Sequence, residues 1–253
     1  MRLHGKSIVV TGAGSGIGAG IAKLFGEQGA KLIVNDINTA GGERVTAEIN
    51  QAGGTARFVH GDVTKAADWE RVVSAALSAH GRLDSVINNA GWTYTAKSTV
   101  LVTDAEFDKT FAINVKSILL AAQHAIPIYQ KQGGGNFVNI ASTAGVRPRP
   151  NLGVYNASKA AVINLSKSLA VEFGPANIRV NCVNPVFNPD TALSSGFAGG
   201  TVDDAAKARF RATIPMGRFS TALDVAQACL YLASDEASLV SGVCLEVDGA
   251  RCV

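Results

Sequence analysis

The sequence predicts an α/β fold, a doubly wound parallel sheet with helices on both faces. Short, nearly continuous apolar runs alternate with helix-patterned segments along the whole chain, as expected of strands buried on both sides. A glycine-rich turn, Thr11-Gly12-Ala13-Gly14-Ser15-Gly16-Ile17-Gly18, joins the first apolar run to the first helical pattern. The chain has 253 residues, 47% of them hydrophobic, which suffices for one large domain with a well-buried core.

The elements follow in order. Residues 6–11 are short and β-branched, and a helical pattern runs over 16–29. Residues 31–36 form a second strand, and 40–52 a helix ended by Gly53-Gly54. After a third strand at 56–60, Trp69, Val72, Val73, Ala76 and Leu77 mark one helical face within 65–80. A fourth strand at 83–88 ends in Asn88-Asn89-Ala90-Gly91. The spacing then predicts one long helix over 104–132, kinked near its end by Pro127. A strand at 136–141, a helix at 154–173, a strand at 178–183, a helix at 222–232 and a strand at 243–247 complete the pattern. No repeat or linker interrupts it, so one domain is expected. Only residues 186–213 break the rhythm, with Pro189, Gly196, Gly199, Gly200, Phe187, Phe197 and Phe210. That stretch is read as an irregular substrate loop, against a plain surface excursion.

Charge is balanced, with 23 basic and 20 acidic residues and a net of +3. No block of one sign stands out, so neither nucleic acid nor a membrane surface is implied as a partner. The N-terminus shows no secretory pattern, and no run approaches the ~18 uninterrupted apolar residues of a membrane helix, so a cytoplasmic protein is expected. Cys182, Cys229, Cys244 and Cys252, like the four histidines, lack metal-ligand spacing. The cysteines are read as buried free thiols, and no metal is expected.

The glycine-rich turn carries the first chemical expectation. A dinucleotide pyrophosphate needs a strand-to-helix turn whose glycines admit the backbone and whose helix N-terminus offers free N–H groups. Gly12, Ser15, Gly16, Ile17 and Gly18 stand in that context. Asp36, at the end of the second strand, can accept hydrogen bonds from the ribose hydroxyls and would repel a 2′-phosphate. Ser15 and Ile37 offer no positive charge to balance one, so NAD is favoured over NADP. The plainer role for Asp36 is a helix cap. Asp62-Val63 and Asn89-Ala90-Gly91 follow later strands, where they can meet the cofactor or serve as ordinary turn residues.

The second expectation rests on Tyr155 and Lys159. Residues at i and i+4 share a helix face, so the Lys159 ammonium can lie near Tyr155 and the cofactor ribose. Free tyrosine, with a pKa of about 10, is a poor base at neutral pH. The ammonium, together with an oxidised nicotinamide, is expected to favour tyrosinate and fit Tyr155 for proton transfer.

Taken together, these motifs resemble the short-chain dehydrogenases/reductases over essentially the whole chain. The matching residues, in order, are the turn 11–18, Asp62, Asn88-Asn89-Ala90-Gly91, Asn114, Ser142, Tyr155 with Lys159, and Pro185. The resemblance implies a single Rossmann-type domain with about seven parallel strands, and a homotetramer, with a dimer as the alternative. It also implies that Ser142 hydrogen-bonds the substrate oxygen and that Asn114 holds a water linking Lys159 to solvent. Pro185 would stand beside the cofactor. The chain departs from the family pattern at Val186, where glycine is usual. Thr191 stands six residues after Pro185 rather than five, which puts its contact with the nicotinamide carboxamide in question.

The expected activity is NAD(H)-dependent interconversion of a secondary alcohol and a ketone. The alternatives are a 3-oxoacyl-thioester reductase, a sugar or polyol dehydrogenase, and a catalytically silent NADH sensor. Trp92, Tyr94, Ser142, Ala144, Asn151, Tyr155 and Phe187 are the candidate substrate contacts. Arg147 and Arg149 are read first as solvated loop arginines, and second as binders of an acidic substrate group.

Overall fold

A computed structural model describes residues 1–253. Its strands are β1 (Ser7–Thr11), β2 (Lys31–Asp36), β3 (Thr55–His60), β4 (Ser85–Asn88), β5 (Gly135–Ile140), β6 (Ile178–Pro185) and β7 (Cys244–Val247). They form one parallel sheet in the order β3-β2-β1-β4-β5-β6-β7. Alternate residues feed opposite cores. Ile8, Val10, Leu32, Val34 and Ile87 pack on one face, and Val9, Ile33, Val86 and Phe137 on the other. Both faces are covered, which explains why the strands read as continuous apolar runs. The winding direction reverses between β1 and β4, the position where open α/β sheets bind ligands at their carboxyl ends.

Three helices, α1 (Gly16–Glu27), α2 (Thr39–Gln51) and α3 (Ala66–His80), fall within a few residues of expectation. The long helix expected over 104–132 is instead three pieces. α4 (Asp104–Phe111) starts at a Thr103/Glu106 capping box, a π turn spans Ala112–Lys116, and α5 (Ser117–Gln132) follows. Pro127 lies inside α5 and does not end it. By length and composition the run Asp104–Gln132 could cross a membrane. Lys116 and His124 interrupt its apolar sequence, and Ile118, Ala121, Ala125 and Tyr129 are buried in the protein core.

α6 (Gly153–Phe173) follows β5, and β6 extends two residues beyond expectation because Asn184 and Pro185 pair with Glu246 and Val247. Residues 186–213 contain two short helices, α7 (Ser194–Ala198) and α8 (Asp204–Arg211). The sequence SSGFA is poor in helix formers, so α7 depends on packing: Phe197 stands edge-on to both Tyr155 and Phe187. α9 (Ala222–Ala233) completes the layer over α1. All four cysteines are free thiols, but only Cys182 and Cys229 are fully buried. Cys182 and Cys244 are register partners on β6 and β7, with their sulfurs 3.0 Å apart.

Candidate active site

A cavity of about 800 Å³ opens at the carboxyl ends of the strands. Gly12, Ser15, Gly16 and Ile17 line its cofactor end, with Asp36, Ile37, Asp62, Val63, Asn89, Ala90 and Gly91. Gly12 has φ +61°, and an added Cβ would stand 2.9 Å from the Ala90 Cα. Gly18 does not line the cavity. A Cβ there would collide with the Gly12 carbonyl oxygen and the Asn89 amide, so its role is to let α1 approach the turn. The turn is fastened from β4: Asn89 Nδ2 donates to the carbonyls of Thr11 (2.9 Å) and Gly12 (3.1 Å). Thr11 Oγ1 in turn accepts from the backbone N–H groups of Asn89 and Ala90.

Asp36 accepts from the Gly14 N–H (2.8 Å) and the Asn38 N–H (2.8 Å), one on each oxygen. A carboxylate has about four acceptor sites, so lone pairs remain for ribose hydroxyls. The helix-cap role falls to Asn38, whose side chain accepts from the Gly41 N–H. Thr191 sits against the phosphate turn, with its Cγ2 3.6 Å from where a Gly16 Cβ would stand. The extra residue after Pro185 therefore does not carry Thr191 away. Val186 continues the sheet through its N–H to the Val247 carbonyl (3.1 Å) and needs no glycine-like backbone. Glycines that leave room beside the turn, free N–H groups at the start of α1 and the acid at the end of β2 fit a dinucleotide without a 2′-phosphate.

Ser142, Tyr155 and Lys159 converge where this cradle meets the substrate end. Lys159 is buried and donates to the Ile140 carbonyl at 2.8 Å, with its Nζ 5.8 Å from the Tyr155 ring centre. Burial pushes the Lys159 ammonium down to about 8. Burial also pushes Tyr155 up to about 12, opposed by the nearby Ser142 hydroxyl and the Arg149 guanidinium. Within the chain alone, burial thus favours the protonated Tyr155, and the groups that oppose it are Ser142 and Arg149. Desolvation of the phenolate outweighs both.

Asn114 is buried between α4 and α5. It lies in the π turn, does not line the cavity, and uses both amide hydrogens on the Trp92 carbonyl (3.0 Å) and Ser158 Oγ (3.0 Å). Its Oδ1 accepts from the Trp92 N–H (2.8 Å). It therefore ties the strand-end loop of β4 to α6.

On the substrate side, Trp92, Tyr94, Ala144 and Phe187 line the cavity as expected, and Pro185 and Thr191 border it. Tyr94 is buried, its hydroxyl accepting from the Val154 N–H (3.2 Å). Asn151 does not line the cavity. It is exposed, at φ +65°, in the turn before α6, and its carbonyl accepts from the Lys97 N–H. Phe197, which the sequence did not mark as a contact, also lines the cavity, as does Arg149, read second as a binder of an acidic substrate group. Phe197 lies in the segment read as a substrate loop, but which side chains turn inward is set by the packing of α7 and α8, where Phe197 meets Tyr155 and Phe210 meets Arg149.

A family model described as enoyl-(acyl carrier protein) reductase matches residues 12–250. A 4-formylbenzenesulfonate dehydrogenase of Comamonas testosteroni is 46% identical over 251 residues, 99% of both chains. A 2,5-dichloro-2,5-cyclohexadiene-1,4-diol dehydrogenase of Sphingobium indicum is 38% identical over 248 residues, 98% of this chain and 96% of that protein. A solved 3-ketoacyl-(acyl-carrier-protein) reductase from Brucella melitensis, complexed with NADH, matches with a TM-score of 0.92 at 41% identity over 99% of both chains.

Proposed function

Because the chain belongs to the short-chain dehydrogenases/reductases and NAD is its cofactor, we propose that it interconverts an alcohol and a carbonyl compound with Tyr155 as general acid/base. The substrate pair is a secondary alcohol and ketone, or an arylmethanol and aldehyde. The observation that carries this reading is the convergence of Ser142, Tyr155 and Lys159 between the phosphate turn and an aromatic-lined pocket. Two relatives point the same way, one named for an aryl aldehyde and one for a cyclic diol.

When bound, the nicotinamide gives or takes the hydride at the substrate carbon. The remaining work falls to the chain. Ser142 Oγ accepts from the Ala144 N–H (3.1 Å), which leaves its own O–H free to donate to the substrate oxygen. Tyr155, held protonated, gives its proton to that oxygen in reduction and takes it back in oxidation. Lys159 has two N–H donors beyond the one on Ile140, enough for the cofactor ribose, and its charge favours tyrosinate in the oxidative direction. Asn114 is a positioning residue that acts through Trp92 and Ser158. A tetramer also belongs to this proposal, with Phe107, Leu119 and Val171 exposed on α4, α5 and α6.

The test is NADH oxidation against cyclic ketones, benzaldehydes and acyl thioesters. Tyr155→Phe should lower turnover by about 10³-fold or more while NADH fluorescence titration stays unchanged. Turnover retained in that variant would overturn the role given to Tyr155.

A further inference from the structure

Arg149 is a cation in the cavity wall without a partner in the chain. Its Nη2 is buried and makes no hydrogen bond, and none of the ion pairs in the molecule includes it. The backbone of Arg149 is clamped by Asn156, which accepts from its N–H (3.3 Å) and donates to its carbonyl (2.8 Å). The guanidinium lies over Phe210, 4.9 Å from the ring centre. Phe210 stacks on Phe187 at 4.0 Å, Phe187 meets Phe197 at 6.3 Å, and Phe197 meets Tyr155 at 5.1 Å. An aromatic wall therefore runs from the proton-transferring phenol to an uncompensated guanidinium.

Burying a cation without an acceptor is costly unless something supplies the acceptor. No carboxylate does so: the charged neighbours that act on it are Arg251 and Arg147, both positive, and the ionisable Tyr155 and Cys252. Arg147 is exposed and donates to the Arg251 carbonyl, so its guanidinium is already engaged. Of the acids lining the cavity, Asp36 and Asp62 stand at the cofactor end, and Glu106 is paired with Lys97 at 2.7 Å. The guanidinium stays charged near neutral pH, although burial lowers it to about 10.

We propose that Arg149 anchors an anionic oxygen group, a carboxylate or sulfonate, at the far end of an aromatic substrate whose carbonyl or carbinol carbon lies at Tyr155. This rests on the reading of the site as an alcohol–carbonyl oxidoreductase. Planar oxyanions suit the fork of guanidinium donors, and the ring faces of Phe187 and Phe197 suit a flat body between the two ends. Arg149 is on this view a specificity-determining residue that exchanges no proton itself, although its charge also acts on Tyr155.

The experiment compares 4-carboxybenzaldehyde and 4-formylbenzenesulfonate with uncharged 4-methylbenzaldehyde, in the wild type and in Arg149→Met and Arg149→Lys. For the two anions, Arg149→Met should lower kcat/KM on the order of 10- to 100-fold, mainly through KM. The uncharged aldehyde reports the loss of the Arg149 charge near Tyr155 alone, so its kcat/KM should fall at least about threefold less than that of the anions, and Arg149→Lys should recover part of the loss on the anions. Equal losses on all three aldehydes would show that Arg149 only supports Phe210, and no loss on the anions would show that it binds nothing there. Either result overturns the proposal. Calorimetric titration of benzenesulfonate and benzoate into the NADH-saturated protein provides a readout independent of turnover. Binding that Arg149→Met abolishes supports the anchor even if no aldehyde is turned over, in which case the oxidoreductase reading alone fails. Binding that is absent, or unchanged in Arg149→Met, counts against the anchor.

Discussion

Lys159 is a buried cation whose only hydrogen bond within the chain is to a carbonyl, and it costs the fold stability for the sake of the site. Its pKa falls from 10.5 to about 8 in the folded protein. The unfolded chain therefore binds that proton more tightly, and the penalty, roughly 3 kcal/mol, is fully present below pH 8. Stability from this group rises with pH between about 8 and 10.5. Lys159→Met is expected to gain about 1–2 kcal/mol at pH 7, after the lost hydrogen bond to Ile140 is counted, while turnover disappears. Urea unfolding at pH 7 and pH 10 measures this: the mutant's advantage should shrink at the higher pH. An advantage that is constant with pH would mean that Lys159 is not desolvated as described. The pairing of Tyr155 with Lys159 was legible from their spacing, whereas the direction of both pKa shifts was not. Charge interaction can be read from sequence separation on a helix, but desolvation depends on what covers the pair.

At the scale of elements, the cofactor turn is held by β4 as much as by its own glycines. Asn89 and Thr11 exchange hydrogen bonds across 78 residues, and Gly18 lets α1 come close enough for this. Gly18→Ala forces a side chain against the Gly12 carbonyl. It is expected to cost about 2–3 kcal/mol and to weaken NADH binding. In contrast, a Cβ at Gly91 would stand 3.5 Å from Asn114 Oδ1, an ordinary contact. Gly91→Ala should therefore stay within about 0.5 kcal/mol of wild type. Thermal melts with NADH titrations on the two variants check the contrast, and equal effects would refute it. Helix and strand positions were visible in the sequence because apolar period and turn residues report them directly. The π turn at Asn114 and the helix α7 were not. The first is one extra residue in a helical ladder, and the second is a weak helix former stabilised by Phe197.

At the scale of the whole molecule, the site lies where the sheet reverses its winding and where β1 to β6 all end. The proposed tetramer would cover Phe107, Leu119 and Val171 and have four times the 26.1 kDa chain mass. Light scattering coupled to size-exclusion chromatography tests this, and a monomer would remove it. By itself the sequence determined the α/β class, the glycine-rich turn, the acid at Asp36 and the pairing of Tyr155 with Lys159, because each rests on residue type at short spacing. The tertiary structure alone decided that Asn114 braces a loop, that Asn151 faces solvent and that Thr191 reaches Gly16 despite an added residue. It also decided that Arg149, rather than Arg147, faces the cavity without a partner. These outcomes depend on which side of a loop turns inward, and that is set by packing between segments distant in the chain.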